Sequence, residues 1–349
     1  MIGIQLAELG VVPQPLLRFG IRRIVRDRLH AEQRRHTDRE QALDRFVAAM
    51  ADSPIALSPQ AANAQHYEVP PAFFEAVLGP QLKYSSAFYP PGVSRLADAE
   101  TAMLDLTMAR AQLADGQRIL ELGCGWGSLT LAMAQRFPGA DIVAVSNSRP
   151  QAEFIRLRAT ARGLSNVRVL TCDMNAFAPP PASGRFDRVV SVEMFEHMRN
   201  WAALLARISG WLTSEGRLFL HVFAHRSFAY SYELDGDDDW MARHFFTGGM
   251  MPSVDLPQRV ASPLTTVQTW TLPGTHYART AEAWHHNLLG HRAELLALFT
   301  RELGARPARR MFERWGIFFL ACAELFGYAA GQEWVIAHHL LAPRRAGQP

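Results

Sequence analysis

The segment Val189–Met198 reads VVSVEMFEHM, an apolar run of the kind that fills a buried strand, closed abruptly by Glu193, Glu196 and His197. If the turn after Val192 is helical, positions i, i+3 and i+4 share one face. Three polar side chains would then point into one small volume at the carboxyl end of a strand. Two carboxylates and an imidazole suit acid–base work, because carboxylates attract a cationic group and a histidine near its own pKa takes up a proton. The competing reading is a solvated first helical turn, whose acidic residues complement the helix dipole. The spacing alone does not choose between the two.

The surrounding pattern supplies a scaffold for these residues. From about Leu96 to Phe223, helical and strand-like segments alternate: ADAETAMLDLTMARAQL, RILEL, GSLTLAMAQRF, DIVAVS, QAEFIRLRATARG, VRVLT, FDRVVSV, WAALLARISGWL and GRLFLHVF. Helices between short apolar runs predict an α/β fold with a mostly parallel sheet covered on both faces. Right-handed crossovers place ligands at the carboxyl edge of such a sheet. After Phe223 the alternation stops, with VQTWTL and EWVIAHHLL expected to return as late strands. The apolar stretch at 316–331 is too short for a bilayer and reads as a buried helix. The expected organisation is a helical N-terminal arm (1–60), a loop-rich cap (61–95), a nucleotide-handling core (96–225), and a substrate-facing insertion with the last strands (226–349).

Composition narrows the class. The chain has 349 residues, 48% hydrophobic and 20% charged, as expected of a folded soluble protein. A net charge of +3 gives no reason to invoke nucleic acid. Cys124, Cys172 and Cys322 form no CxxC pair, and no secretory leader is visible, so a reduced, cytoplasmic location is expected. The basic stretch Arg22–Arg39 reads better as a helix packed on its own protein than as a peripheral membrane contact. The N-terminal sixty residues also offer a candidate homodimerisation arm. No metal site is expected: the histidines match no HExxH spacing, and the adjacent pairs His285–His286 and His338–His339 read as satisfied or solvent-facing. The acidic run Asp235–Trp240 lacks a calcium loop.

A second constellation lies in ILELGCGWGSL, where Gly123, Gly125 and Gly127 permit a tight turn and close backbone approach to a ligand. Glu121, on the strand just before them, suits a cationic or amine-bearing ligand and would repel a pyrophosphate. The next strand ends in VSNSRPQ, without the acid expected of a dinucleotide site.

This loop resembles motif I of class I S-adenosylmethionine-dependent methyltransferases, which have a Rossmann-like fold. With HYEVPPAFFEAVLG, KYSSAFY, SNSRPQAEFI, VVSVEMFEHM, HFFTGGMMPS and FFLACAELFGYAAGQEW, the chain resembles the cyclopropane fatty-acid synthase group, and within it coclaurine N-methyltransferase-like proteins. The resemblance covers about four-fifths of the chain. It implies that S-adenosylmethionine lies along Gly123, Gly125 and Gly127, with Ser146 and Gln151 on the ribose. Asp173 would accept the adenine amino group, Met174 would lie against the ring, and Tyr84 and Ser85 would reach the methionine carboxylate. The family resemblance also implies a lid role for the acidic run Asp235–Trp240.

The same resemblance implies methyl transfer to the nitrogen of a hydrophobic or aromatic small-molecule amine. His197 and Glu196 would be the base pair and Glu193 the cation-binding carboxylate. Separately, because aromatic walls bind cations and flat rings, Trp315 and Phe318 are candidate acceptor-binding residues, with Tyr277 beside them. An alternative is cyclopropanation of unsaturated acyl chains, in which bicarbonate takes the proton. Synthases of that kind carry Cys where this chain has Ser86, Gly where it has Glu193 and Ile where it has Phe223, although His221 and Tyr277 of their bicarbonate site are present. A catalytically silent cofactor-binding module is the remaining alternative, disfavoured because glycines and acid–base residues are all retained.

Overall fold

The computed structural model describes residues 2–57, 69–232 and 240–344. All of the expected lid at 235–240 except Trp240 lies outside them. Three helices open the chain, α1 (Ile2–Glu8), α2 (Gln14–Arg35) and α3 (Arg39–Ala51), followed by the short α4 (Pro71–Val77). The core then alternates: α5 (Leu96–Arg110), β1 (Arg118–Leu122), α6 (Ser128–Arg136), β2 (Asp141–Ser146), α7 (Arg149–Ala161), β3 (Val167–Thr171), β4 (Phe186–Val192), α8 (Trp201–Trp211) and β5 (Leu212–His225). A two-stranded ribbon, β6 (Tyr230–Ser231) with β7 (Met250–Met251), brackets α9 (Trp240–His244); α10 (Leu256–Arg259) and β8 (Leu264–Leu272) follow. Three long helices, α11 (Thr275–Gly290), α12 (Arg292–Leu303) and α13 (Ala305–Gly327), lead to β9 (Trp334–Pro343).

Seven strands form one sheet in the order β3-β2-β1-β4-β5-β9-β8. The first five pair in parallel, while β9 pairs antiparallel with both β5 and β8. Only β9 therefore runs against the rest. This is the mostly parallel, helix-covered class I methyltransferase sheet expected from the alternation.

Side-chain alternation along the strands sends Leu120, Val189 and Leu218 to one face, against Trp201, Leu204 and Ile208 of α8. Ile119, Val190 and Phe219 go to the other, beneath Leu104 and Met108 of α5 and Met133 of α6. A third, aromatic-rich cluster joins α4 to α11 and α13 through Phe73, Phe74, Trp284, Trp315 and Phe319. The basic helix α2 lies on this cluster, with Arg18 paired to Glu282 and Glu324 at 2.6 and 2.7 Å. No helix among the described residues is long and apolar enough to cross a membrane.

Candidate active site

The carboxyl ends of β1, β2 and β4 and the segment before α5 enclose a cavity of about 1200 Å³, counting its open mouth. That volume accommodates a nucleoside-sized molecule and a second small molecule together. One side is the glycine loop. Gly127 takes φ +82° and starts α6, and a Cβ on Gly125, at φ +50°, would meet nothing but open space. Gly123 answers a different need, since a Cβ there would come within 2.6 Å of the Met194 side chain.

Around this loop the cavity is lined by Tyr84, Ser85, Glu121, Ser146, Gln151, Asp173 and Met174, all expected from the sequence. Ser146 donates to Gln151 Oε1 at 2.8 Å, which turns the amide nitrogen elsewhere. Ser148 caps α7 and holds the backbone of Gln151 in place. Glu121 accepts from the Thr130 hydroxyl, and burial raises its pKa to about 7. Four buried polar atoms of cavity-lining residues have no protein partner: Thr107 Oγ1, Trp126 Nε1, Ser128 Oγ and Gln151 Nε2. A buried donor without a partner is costly, and a ligand rich in hydroxyls and ring nitrogens would satisfy these. The residues thus fit S-adenosylmethionine.

The opposite side is built on Glu193. It does not continue into a helix: its φ is +47°, and only Phe195–His197 form a single 3₁₀ turn. The expected common helical face is therefore absent, because Glu193 is captured by three donors. Its Oε1 accepts from the Ser86 N–H at 2.9 Å and lies 3.2 Å from His221 Nε2, and its Oε2 accepts from the Tyr277 hydroxyl at 2.7 Å. Its own N–H donates to the His221 carbonyl at 2.8 Å. A left-handed conformation costs a residue with a Cβ about 1–3 kcal/mol, whereas each charge-assisted hydrogen bond contributes about 1.5–3 kcal/mol. The three bonds offset the strain. Burial raises the Glu193 pKa, an effect that the nearby Lys83 ammonium, the Ser86 N–H and the Tyr277 hydroxyl oppose only in part.

The trio separates further. His197 lines the cavity beside Glu193 and packs its ring 4.6 Å from Phe246. Glu196 does not line the cavity. It is 0% exposed, its Oε1 accepts from the Phe223 N–H at 2.7 Å, and its Oε2 has no partner. Burial, reinforced by the neighbouring Glu193 charge, holds its pKa well above the usual carboxylate range. Glu196 is thus a buried strut tying the 3₁₀ turn to β5.

Trp315 and Phe318, expected as acceptor walls, also lie elsewhere. Trp315 is 0% exposed, with ring centroids 4.6 Å from Phe73 and 5.6 Å from Phe319; Phe318 stacks on Phe245 at 4.3 Å. The amphipathic helix α13 turns both into the aromatic core, and neither lines the cavity. Tyr277 acts on Glu193 rather than lining the cavity itself. His338 and His339 are both buried, not solvent-facing. Among the described residues, no group of three or more His, Cys, Asp or Glu is placed to hold a metal ion.

The cavity residues not expected from the sequence include Lys83, Thr107, Trp126, Ser128 and Asn147. Trp126 and Ser128 stand inside and directly after the glycine run. Lys83 has a plainer signal, being the single lysine among 36 basic residues. It is 3% exposed, donates to the Ser85 hydroxyl, and burial lowers its pKa to about 8.

Residues 57–334 match the profile of the mycolic acid cyclopropane synthetase family. The chain belongs to that family. It is 35% identical to (S)-coclaurine N-methyltransferase of Thalictrum flavum subsp. glaucum, over 95% of this chain and 93% of that one. Cyclopropane mycolic acid synthase 1 of Mycobacterium tuberculosis is 28% identical over 78% of this chain and 95% of its own. A crystal structure of coclaurine N-methyltransferase bound to N-methylheliamine and S-adenosylhomocysteine superposes with a TM-score of 0.92. The identity there is 34%, over 97% of this chain and 98% of that one. With the geometry above, these relatives make the protein an S-adenosylmethionine-dependent methyltransferase of this family.

Proposed function

We propose that the enzyme methylates the nitrogen of a small hydrophobic amine. The observation that carries this reading is the Glu193 carboxylate, fixed at the cavity by Ser86, His221 and Tyr277. Bound S-adenosylmethionine supplies an electrophilic methyl carbon. Near neutral pH an aliphatic amine arrives mainly as its ammonium ion. Glu193 attracts and orients that cation, and His197, on the same wall, takes the proton and frees the lone pair. Met194, Met198 and Trp126 line the surrounding cavity and exclude water from the site. The N-methyltransferase relatives support the same class of acceptor.

The cyclopropanation alternative is disfavoured by the same three donors. Their positions would hold bicarbonate under that reading, and here they engage a carboxylate of the chain itself. The test is incubation of methyl-labelled cofactor with a panel of tetrahydroisoquinoline and simpler cyclic amines, and separately with unsaturated phospholipid. Label on amine nitrogen is the expected result, and label in acyl chains alone overturns the proposal.

A further inference from the structure

A continuous line of hydrogen bonds joins Glu193 to the outer part of the sheet. His221 on β5 and His338 on β9 face each other across the antiparallel pair. His221 Nε2 is 3.2 Å from Glu193 Oε1, His221 Nδ1 is 3.0 Å from His338 Nε2, and His338 Nδ1 is 2.8 Å from Arg110 Nη1. Both imidazoles are fully buried. Arg110 ends α5 half-buried, its guanidinium 4.9 Å from the centre of the Trp270 ring.

The chemistry of the last link fixes the others. A guanidinium only donates, so His338 Nδ1 accepts and the ring proton sits on Nε2. That N–H donates to His221 Nδ1, which leaves the His221 proton on Nε2, aimed at Glu193. Burial holds both rings well below the usual imidazole pKa. The direction of the chain is set from its cationic end.

We propose that Arg110 and His338 are positioning residues for Glu193, locking two imidazoles in the tautomer that keeps this carboxylate ionised for a cationic acceptor. The proposal rests on the amine reading above and assigns residues outside the cavity to acceptor binding. It also divides the labour at the site. The nitrogen of His221 that faces Glu193 is already protonated, so Glu193 cannot pass a proton down the chain, and the acceptor's proton goes to His197.

The sign of the effect follows. Without Arg110 the cationic end is lost and His338 is free to turn its tautomer over, and both changes favour protonated Glu193. The other titratable groups around Glu193 include Lys83 before α5, Tyr277 on α11, Cys322 on α13, Glu196 in the 3₁₀ turn and His197 on the same cavity wall. All of them stay in place in an Arg110 variant.

The test uses full-length protein with ¹⁵N-labelled histidine. The expected spectrum has bare Nδ1 and protonated Nε2 on both His221 and His338 throughout the neutral range. Arg110→Met and His338→Phe should each raise the KM of an amine acceptor about tenfold, with kcat and S-adenosylhomocysteine affinity nearly unchanged. Both should move the acid limb of kcat/KM to higher pH, and the double variant should be no worse than the poorer single one. A proton on Nδ1 of either ring, an unchanged KM and acid limb in Arg110→Met, or fully additive losses each overturn the proposal. If the wild-type enzyme methylates no amine, the amine reading falls, and the ¹⁵N pattern still decides the tautomer lock.

Discussion

The two sides of the cavity recognise their ligands by different physics. On the glycine-loop side, Trp126, Ser128 and Gln151 keep buried polar atoms without protein partners, so selection there rests on the hydrogen-bond pattern of the bound molecule. On the Glu193 side the donors already converge on one carboxylate, so selection rests on the sign of charge, fixed before any acceptor enters. Strain is distributed the same way. The loop takes its left-handed positions at glycines, whereas Glu193 takes one with a side chain attached. The lesson is that one cavity can match shape and hydrogen bonding at one end and charge at the other, at little cost to either.

Substitutions that separate the two sides make the contrast testable. The largest effect is expected at His197. His197→Ala should lower kcat by roughly 10²–10⁴ while S-adenosylhomocysteine affinity, measured by calorimetry, stays near the wild-type value. Full turnover in that variant would remove His197 from the chemistry. Glu193→Gly comes next. It deletes the carboxylate and relieves the left-handed strain at once, so the amine KM should rise about 10- to 100-fold with Tm unchanged or higher. A large drop in Tm would instead make Glu193 a structural residue. Gln151→Leu should do the converse, weakening S-adenosylhomocysteine about fivefold and leaving the amine KM alone.

The smallest effect concerns Lys83, which sits between the two sides. Its pKa of about 8 lies below the ordinary lysine value of 10.5, so the unfolded chain binds more protons across that interval and stability rises with pH. Lys83→Met should therefore be more stable than wild type at neutral pH, by a few degrees in Tm. The gap should close as pH climbs from about 8 towards 10.5. A gap independent of pH would mean that the ammonium is not the destabilising element.

Much of the scaffold was legible in the sequence, and the reasons are local. RILEL, DIVAVS and FDRVVSV are short apolar runs between amphipathic helices, and each is a strand. Gly125 and Gly127 lie in the kind of turn their spacing predicts. The trio at 193–197 was legible only as composition. A left-handed glutamate has no sequence signature, since its conformation is imposed by Ser86, His221 and Tyr277, which lie 28 to 107 residues away in the chain. Trp315 and Phe318 show a different limit. An aromatic residue on an amphipathic helix can line a cavity or fill a core, and only the packing of α13 against α4 and against Phe245, just after α9, decides it. The lone lysine was visible, but nothing near it in sequence says that it is buried.

The place of β9 has a consequence for the order in which the molecule is completed. Residues 334–343 are made after every other strand of the sheet, yet they lie between β5 and β8. During synthesis from the N-terminus, the glycine loop and its neighbours can assemble early. The outer third of the sheet cannot zip shut until this strand emerges and slides into the gap. A nascent chain stalled before Trp334 would hold a nucleoside pocket beside an unpaired His221, and maturation of the second half of the site falls to one late ribbon.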